Sequence, residues 1–481
     1  QPALKLVDAS DESVRAAALR LCGIWKLETA RPRMLETVRQ SNGSDTLRSA
    51  AMEALAALGG PASRDVLDQL STTGNPAHRR MAVLALVGLD PAQGARRAVE
   101  MLPLGSPDDA TALFDAILQR KGGDAALTAA LAGKKLPADV AKLGLRSVGT
   151  TARKLPELVE ALNKAGDLAA SGPRILSVEE MNQMVSAVTA TGDPARGETV
   201  FRRKDQLCLK CHAIGGAGGQ VGPDLSSIGG SAKVDYLVES LLQPNKAVKE
   251  GYHSTLVTTK SGKNLAGVKL RETATELVLR DANDAEVAIP LRDIDTQTMG
   301  GSLMPDGLTD PLTRSEFVDM VRFLSELGKV GPYSVGQSRV ARRWQVLEAG
   351  PATTESLRAN GLDGLIHDPS IIWTPAYSSV AGLLPVSEIP AVGNSRLGVV
   401  RTQVEATSPG KVALRLNAPK DVRLWLDRTP VDAGHLNAIE IPAGTHTLTL
   451  AFNHVPGNDV LRAELDDVVG SPAKVRWVVG K

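Results

Sequence analysis

The apolar positions fall into three regimes along the chain. Through about residue 191 they recur three and four apart, the spacing of helices, broken by short turns. From Tyr252 to Ile294 the spacing drops to two, in the stretches His253–Thr259, Leu265–Arg271, Glu276–Asp281 and Glu286–Pro290. Turn residues such as Ser261-Gly262 part them. Helical spacing brackets this segment, at Ala195–Lys204 and Val234–Leu242 before it and at Arg314–Leu327 after it. Beyond about Gly336 seven more stretches alternate or run apolar: Val399–Ala406, Lys411–Asn417, Val422–Asp427, Ala438–Ile441, His446–Phe452, Leu461–Leu465 and Lys474–Val479. The pattern predicts a multidomain α+β chain. A helical array fills 1–191, a mixed unit fills 192–331, and a β-sandwich or jelly roll fills 336–481. The β-rich insertion at about 252–294 is expected to form a small barrel or curled sheet.

The array repeats itself. Asp11-Glu-Ser-Val-Arg15-Ala-Ala-Ala-Leu19, Asp45-Thr-Leu-Arg48-Ser-Ala-Ala-Met52 and Pro76-Ala-His-Arg-Arg80-Met-Ala-Val-Leu84 align, with their arginines 33 and 32 residues apart. A fainter copy begins near Asp108. Each unit has room for two helices of about 10–12 residues, and small residues on one face let helices approach closely. This resembles HEAT-like repeats, which often serve as binding scaffolds. An irregular helical domain without a partner is the plainer alternative.

Composition narrows the function classes. A chain of 481 residues allows about two to four domains. Lys+Arg 55 against Asp+Glu 54 leaves no basic excess, which excludes a protein that coats nucleic acid. With 5 Phe, 5 Trp and 4 Tyr the cores must be built mainly from Ala, Leu and Val. No run of 18 apolar residues exists, so no membrane-spanning helix is expected; the apolar run Met81–Leu89 reads as a buried helix. The chain opens at Gln1 with no signal peptide and with helical periodicity already running. It reads as a mature product or a piece of a longer polypeptide. Three cysteines exclude a disulfide scaffold.

Two of those cysteines carry the strongest chemical signal, Cys208-Leu-Lys-Cys211-His212. In a c-type cytochrome both thiols add across the haem vinyl groups and the adjacent His becomes the proximal iron ligand. A redox dithiol or half of a zinc site can carry the same spacing. Zinc wants about four ligands, and the remaining cysteine, Cys22, lies in the helical array as a small core residue. A redox dithiol wants a strand before it and a helix after it. Gly197 and Phe201 precede the motif, Gly222-Pro223-Asp224-Leu225 follows it, and Ser302-Leu-Met304-Pro305 stands before a helix with Phe317, Val321 and Leu324. This arrangement resembles a class I cytochrome c. The resemblance implies His212 and Met304 as axial ligands, with the Pro223 carbonyl accepting a hydrogen bond from His212. Met304 as a core filler, Met299 as a rival and Met320 facing the helix core are the alternatives.

Gly251-Tyr252 with Val257, Asp281-Ala282, Ile289-Pro290 and Ser302-Leu-Met-Pro-x-Gly307 add a second likeness. The span from about Gly192 to Leu327 looks like the haem-binding domain typical of Planctomycetes and Verrucomicrobia, the PVC-type CxxCH domain. Members often carry HEAT-like repeats before it and a dehydrogenase-like propeller further upstream. No propeller pattern is present here, which leaves dehydrogenase chemistry to a partner or an upstream domain. The resemblance therefore implies one covalent haem c, Cys208, Cys211, His212, Pro223 and Met304 around it, and electron transfer from a sugar dehydrogenase to a respiratory acceptor. It also implies a periplasmic or cell-surface location.

Other features are open between two readings. Arg202, Arg203, Lys204 and Lys210 form either a docking rim for an acidic redox partner or a solvated helix face. Trp344, Trp373, Trp425 and Trp477 either stack on a glycan or fill a sandwich core. His253, His367, His435, His446 and His454 lack metal-ligand spacing. A glycan-binding scaffold with auxiliary haem, and a peroxidase-like enzyme with an open sixth iron site, are the rival functions.

Overall fold

A computed structural model describes residues 2–40, 43–151, 153–168, 174–336, 338–393, 395–419, 421–454 and 460–480. Gln1, where the expected start of the helical array falls, lies outside them. The chain forms two compact units, residues 1–171 with 310–314 and residues 172–309 with 315–481.

The first unit is an array of paired helices. Glu12–Ile24 (α1), Asp45–Leu58 (α2) and Pro76–Leu89 (α3) are its repeated first helices. Arg31–Arg39 and Gly60–Thr72 are the second helices between them. Local chemistry sets the starts: the Asp11 carboxylate accepts from the Val14 amide at 3.0 Å, and the Asn75 side chain accepts from the His78 amide at 2.8 Å. Small residues set the spacing. A Cβ on Gly23 would stand 2.6 Å from the Ala54 carbonyl oxygen, so only glycine lets α1 lie this close to α2. Cys22 beside it is fully buried with Leu19, Met52 and Leu55.

Polar contacts recur at the repeat spacing. Arg20 donates to Glu53, Arg31 to the Ser63 hydroxyl and the Gly59 carbonyl, and Arg97 to Asp68 at 2.7 Å. Arg48, one of the aligned arginines, is 4% exposed; it donates to Asp45 and to the Gln40 carbonyl and lies against His78 of the next repeat. The expected array ran to residue 191, yet the helix Val178–Thr191 belongs to the second unit.

Pro194–Arg202 (α4), the single turn Cys208–Cys211 (α5) and Arg314–Glu326 (α6), the last in the second unit from Ser315 on, flank the inserted strands along the chain. These are Ser254–Thr259 (β1), Asn264–Glu272 (β2), Glu276–Arg280 (β3), Glu286–Pro290 (β4) and Ile294–Met299 (β5). They pair antiparallel in the order β4-β3-β2-β1-β5. Of the two expected forms, barrel and curled sheet, no closed barrel is formed among the described residues. The single 3₁₀ turn Leu291–Asp293 joins the two edge strands, so the sheet must curl strongly to bring them near one another. Among the described residues β4 and β5 share no ladder. Pro290 has no amide hydrogen to offer such a ladder, and β5 is exposed along nearly its whole length. Val257, Leu277, Leu279 and Ile289 form the sheet's small core.

The C-terminal region is β-rich. One antiparallel sheet orders Thr429–Val431, Arg423–Leu426, Gly444–Asn453, Leu397–Ser408, Arg343–Leu347 and Trp373–Tyr377, with Lys474–Trp477 also pairing Leu397–Ser408. The other orders Leu384–Pro385, Val460–Asp467, Gly410–Asn417 and Ile439–Ile441. Both sheets feed one buried cluster that includes Trp344, Val400, Val404, Leu414, Leu450, Phe452 and Leu461. The strands at 343–347 and 373–377 and the helix Pro351–His367 were not legible in the apolar pattern. That helix carries Gly361 at φ 67°, which breaks its periodicity.

The glycine contact gives a paired test in the first unit. Gly23→Val should cost about 1–3 kcal/mol, because the added carbons meet backbone that cannot move aside. Arg20→Ala, across the same helix pair, removes an exposed ion pair and should cost at most about 1 kcal/mol. Urea unfolding of both variants checks the order, and an equal loss would contradict the close-packing account.

Candidate functional site

The site is built around α5. Leu207, at φ 57°, turns the chain sharply into it, and the His212 amide donates to the Cys208 carbonyl at 2.9 Å. Both thiols therefore sit within one helical turn of the histidine, half-buried. The following loop folds back over this turn. The Gly219 amide donates to the Leu209 carbonyl at 2.9 Å and the Gly222 amide to the Cys211 carbonyl at 2.8 Å.

That fold-back delivers Pro223 to the imidazole. His212 Nδ1 lies 2.8 Å from the Pro223 carbonyl oxygen. A carbonyl can only accept, so Nδ1 carries the proton and Nε2 keeps its lone pair. Gly222 packs against the ring itself, since a Cβ there would stand 2.6 Å from Cε1. Burial holds the His212 pKa below its ordinary value, with the Pro223 bond opposing, so the ring is kept neutral as a ligand must be. Burial pushes the Cys208 thiol up to about 12. Among the described residues no three His, Cys, Asp or Glu side chains converge as a metal cluster. Two thiols on one turn beside a neutral imidazole form a donor set that haem c, a redox dithiol or half of a zinc site can each use.

The flanking helices cross tightly. A Cβ on Gly197 of α4 would stand 1.9 Å from the Asp319 carbonyl of α6, and Phe201 and Phe323 rings pack at 5.6 Å. Asp319, buried, accepts from the Asp193 amide at 2.7 Å and from Arg196 at 2.8 Å. Met304 lies in the loop between β5 and α6, half-buried, and its amide donates to the Ser302 hydroxyl at 3.0 Å. Asn245 holds that loop by accepting from the Ser302 amide at 2.9 Å. Its rivals sit differently: Met299 is 78% exposed on β5, and Met320 is 1% exposed inside α6. The sequence offers Gly222 within Gly222-Pro223-Asp224-Leu225 but not its contact with the ring, and nothing local marks Asn245.

Two sequence readings change. Arg202 pairs with Glu388 and the Tyr377 carbonyl, and Arg203 with Asp205 and Glu316, so neither is available as a docking rim. Of the four cations Lys204 is exposed and Lys210 half-buried. The tryptophans of the C-terminal region do not form an exposed stacking face. Trp344, Trp425 and Trp477 are buried, with indole N–H groups donating to Ser378, Asp363 and the Arg339 carbonyl. Trp373 is half-buried, and the Arg401 guanidinium lies 4.1 Å over its ring.

A family model for HEAT repeats matches residues 1–88. No curated protein is significantly similar to the chain. Among solved structures, the complex of CpcE and CpcF of phycocyanin lyase from Nostoc sp. PCC7120 overlaps 49% of this chain and 79% of its own, at 15% identity and a TM-score of 0.22. That overlap is too loose to carry an argument. No helix among the described residues is long and apolar enough to cross a membrane.

Beside the motif, Glu198 of α4 is a testable titration point. Its carboxylate accepts from the Val380 amide at 2.7 Å. Burial raises its pKa above the ordinary 4.5, with Glu388 adding and the Val380 bond and Arg202 opposing. A raised carboxyl favours the fold most when protonated. Its contribution is complete below about pH 4.5 and is lost as the pH rises through the raised value. Glu198→Gln stays neutral, so its stability relative to the parent should grow with pH across that window. Urea unfolding at a series of pH values checks this; a difference independent of pH would contradict it.

Proposed function

We propose that residues 192–331 are a c-type cytochrome domain that carries single electrons. The observation that carries this reading is the His212–Pro223 bond, formed next to a Cys-x-x-Cys turn, which leaves a neutral imidazole with one free ring nitrogen. Cys208 and Cys211 would hold haem c through thioethers, and His212 and Met304 would ligate its iron. Haem c held there would supply a one-electron couple, whose potential a thioether ligand raises. The chain's own residues do the positioning. Pro223 fixes the ring's tautomer, Gly222 leaves room for its face, and Asn245 and Ser302 hold the Met304 loop. The donor on this reading is a dehydrogenase, acting on a sugar, as a partner or an upstream domain, and the acceptor is respiratory. Covalent haem attachment would place the protein in the periplasm or on the cell surface.

A second role falls to the helical repeats as a protein-binding scaffold. It is favoured by the HEAT match and by an apolar stripe on α1 and the residue that caps it, where Val14, Leu21, Ile24 and Trp25 are exposed. The glycan reading loses its support with the burial of the tryptophans.

Met304→Ala should turn the haem-loaded protein high-spin and lower its potential by more than about 59 mV, a tenfold shift in a one-electron equilibrium. His212→Ala should abolish the low-spin spectrum even where thioethers form. An unchanged Met304→Ala spectrum would remove Met304 as a ligand. Ready binding of peroxide or cyanide by the parent would favour an enzyme with an open iron site.

A further inference from the structure

We infer that the C-terminal β region is a positioning element for the His212 loop, with residues 478–480 as its clamp. Its functional meaning rests on the haem reading above; the contact itself does not.

The loop after His212 needs such support. Its hairpin consists of two strands of two residues each, Ala213–Ile214 and Ala217–Gly218, joined by Gly215 and Gly216 at positive φ. A hairpin this short is not stable alone in water. A third strand-like segment completes it. The Gly480 amide donates to the Gly216 carbonyl at 2.7 Å, and the Gly218 amide donates to the Gly480 carbonyl at 3.2 Å. Gly480 thereby bridges Ala217 in parallel. Side chains close the contact: a Cβ on Gly216 would stand 2.9 Å from Val479, and one on Gly215 would stand 2.9 Å from Arg342.

The clamp is itself fixed. The Val478 amide donates to the Gln403 carbonyl at 2.9 Å, on the long strand Leu397–Ser408, and Arg342 donates to the Val380 carbonyl at 3.2 Å. The same β region also grips the chain ahead of the motif. Arg202 donates to the Tyr377 carbonyl and to Glu388, and Glu198 accepts from Val380. Cys208–His212 is therefore held from both sides by one body. The hold reaches the ligand through the backbone. Ala213 follows His212 directly and accepts from the Leu225 amide at 2.8 Å, two residues past the Pro223 carbonyl that orients the ring. A shift of the hairpin shifts that carbonyl. Val479 and Gly480 are thus positioning residues, acting through the loop on the imidazole.

The test uses the full chain, a form ending at Val478, and Gly480→Pro, which lacks the amide that bonds Gly216. Amide hydrogen exchange of residues 213–225 is compared with the helix Val234–Leu242 as an internal reference. Both variants should exchange about tenfold faster in the loop and equally in the helix. In haem-loaded protein both should keep covalent haem while the ferric spectrum gains a high-spin share. Unchanged loop exchange overturns the clamp. Faster exchange with an unchanged spectrum overturns the positioning role. If shortening the chain unfolds the β region, as circular dichroism would show, Gly480→Pro decides. If the full chain takes no covalent haem, the haem reading falls, and the exchange comparison still judges the clamp.

Discussion

One backbone carbonyl decides what His212 can do. By accepting from Nδ1, Pro223 fixes the tautomer, turns Nε2 away from itself and holds the ring against Gly222. Everything around the motif serves that contact. The turn Cys208–Cys211 sets the histidine's place in the chain, and the amides of Gly219 and Gly222 fold the loop back so that Pro223 arrives opposite the ring. A rigid ligand costs less to order when a group binds it, which is the physical value of arranging it beforehand.

Close approach without side chains is the recurring device. Gly23 brings repeat helices together, Gly197 lets α4 cross α6, and Gly222 opens a face of the imidazole. The C-terminal β region follows the same logic. Gly216 lets Val479 lie against the hairpin and Gly215 makes room for Arg342, so a region that reads as a separate module is physically part of the His212 loop.

The helical repeats were legible because they obey two periodicities at once, the helical spacing of Ala and Leu and the 33-residue recurrence of Arg15 and Arg48. The strands of the insertion were legible from alternation, but their closure was not. Whether edges join depends on the curl of the sheet and on groups such as Pro290, which a period of two does not encode. The cysteines and His212 stand out because their chemistry is local. Asn245 and Gly480 do not, because each acts on a loop far away in the chain. The cationic cluster and the tryptophans misled for the same reason. Glu388 and Glu316, which pair with Arg202 and Arg203, lie more than a hundred residues away; the burial of Trp344 is decided by both sheets together, and that of Trp425 by a cluster with Leu365 and Ile366 of the helix Pro351–His367.

The central claim is that Cys208, Cys211 and His212 hold a covalent haem with Met304 opposite. An absorption spectrum tests it most directly, taken oxidised, reduced and after denaturation in alkaline pyridine, on protein from a periplasmic host that attaches haem. The account predicts a c-type α-band that survives denaturation and a weak near-infrared band from a Met–iron bond in the oxidised form. No haem, in a host that matures other c-type cytochromes, would contradict it and leave the helical repeats as the functional part of the chain.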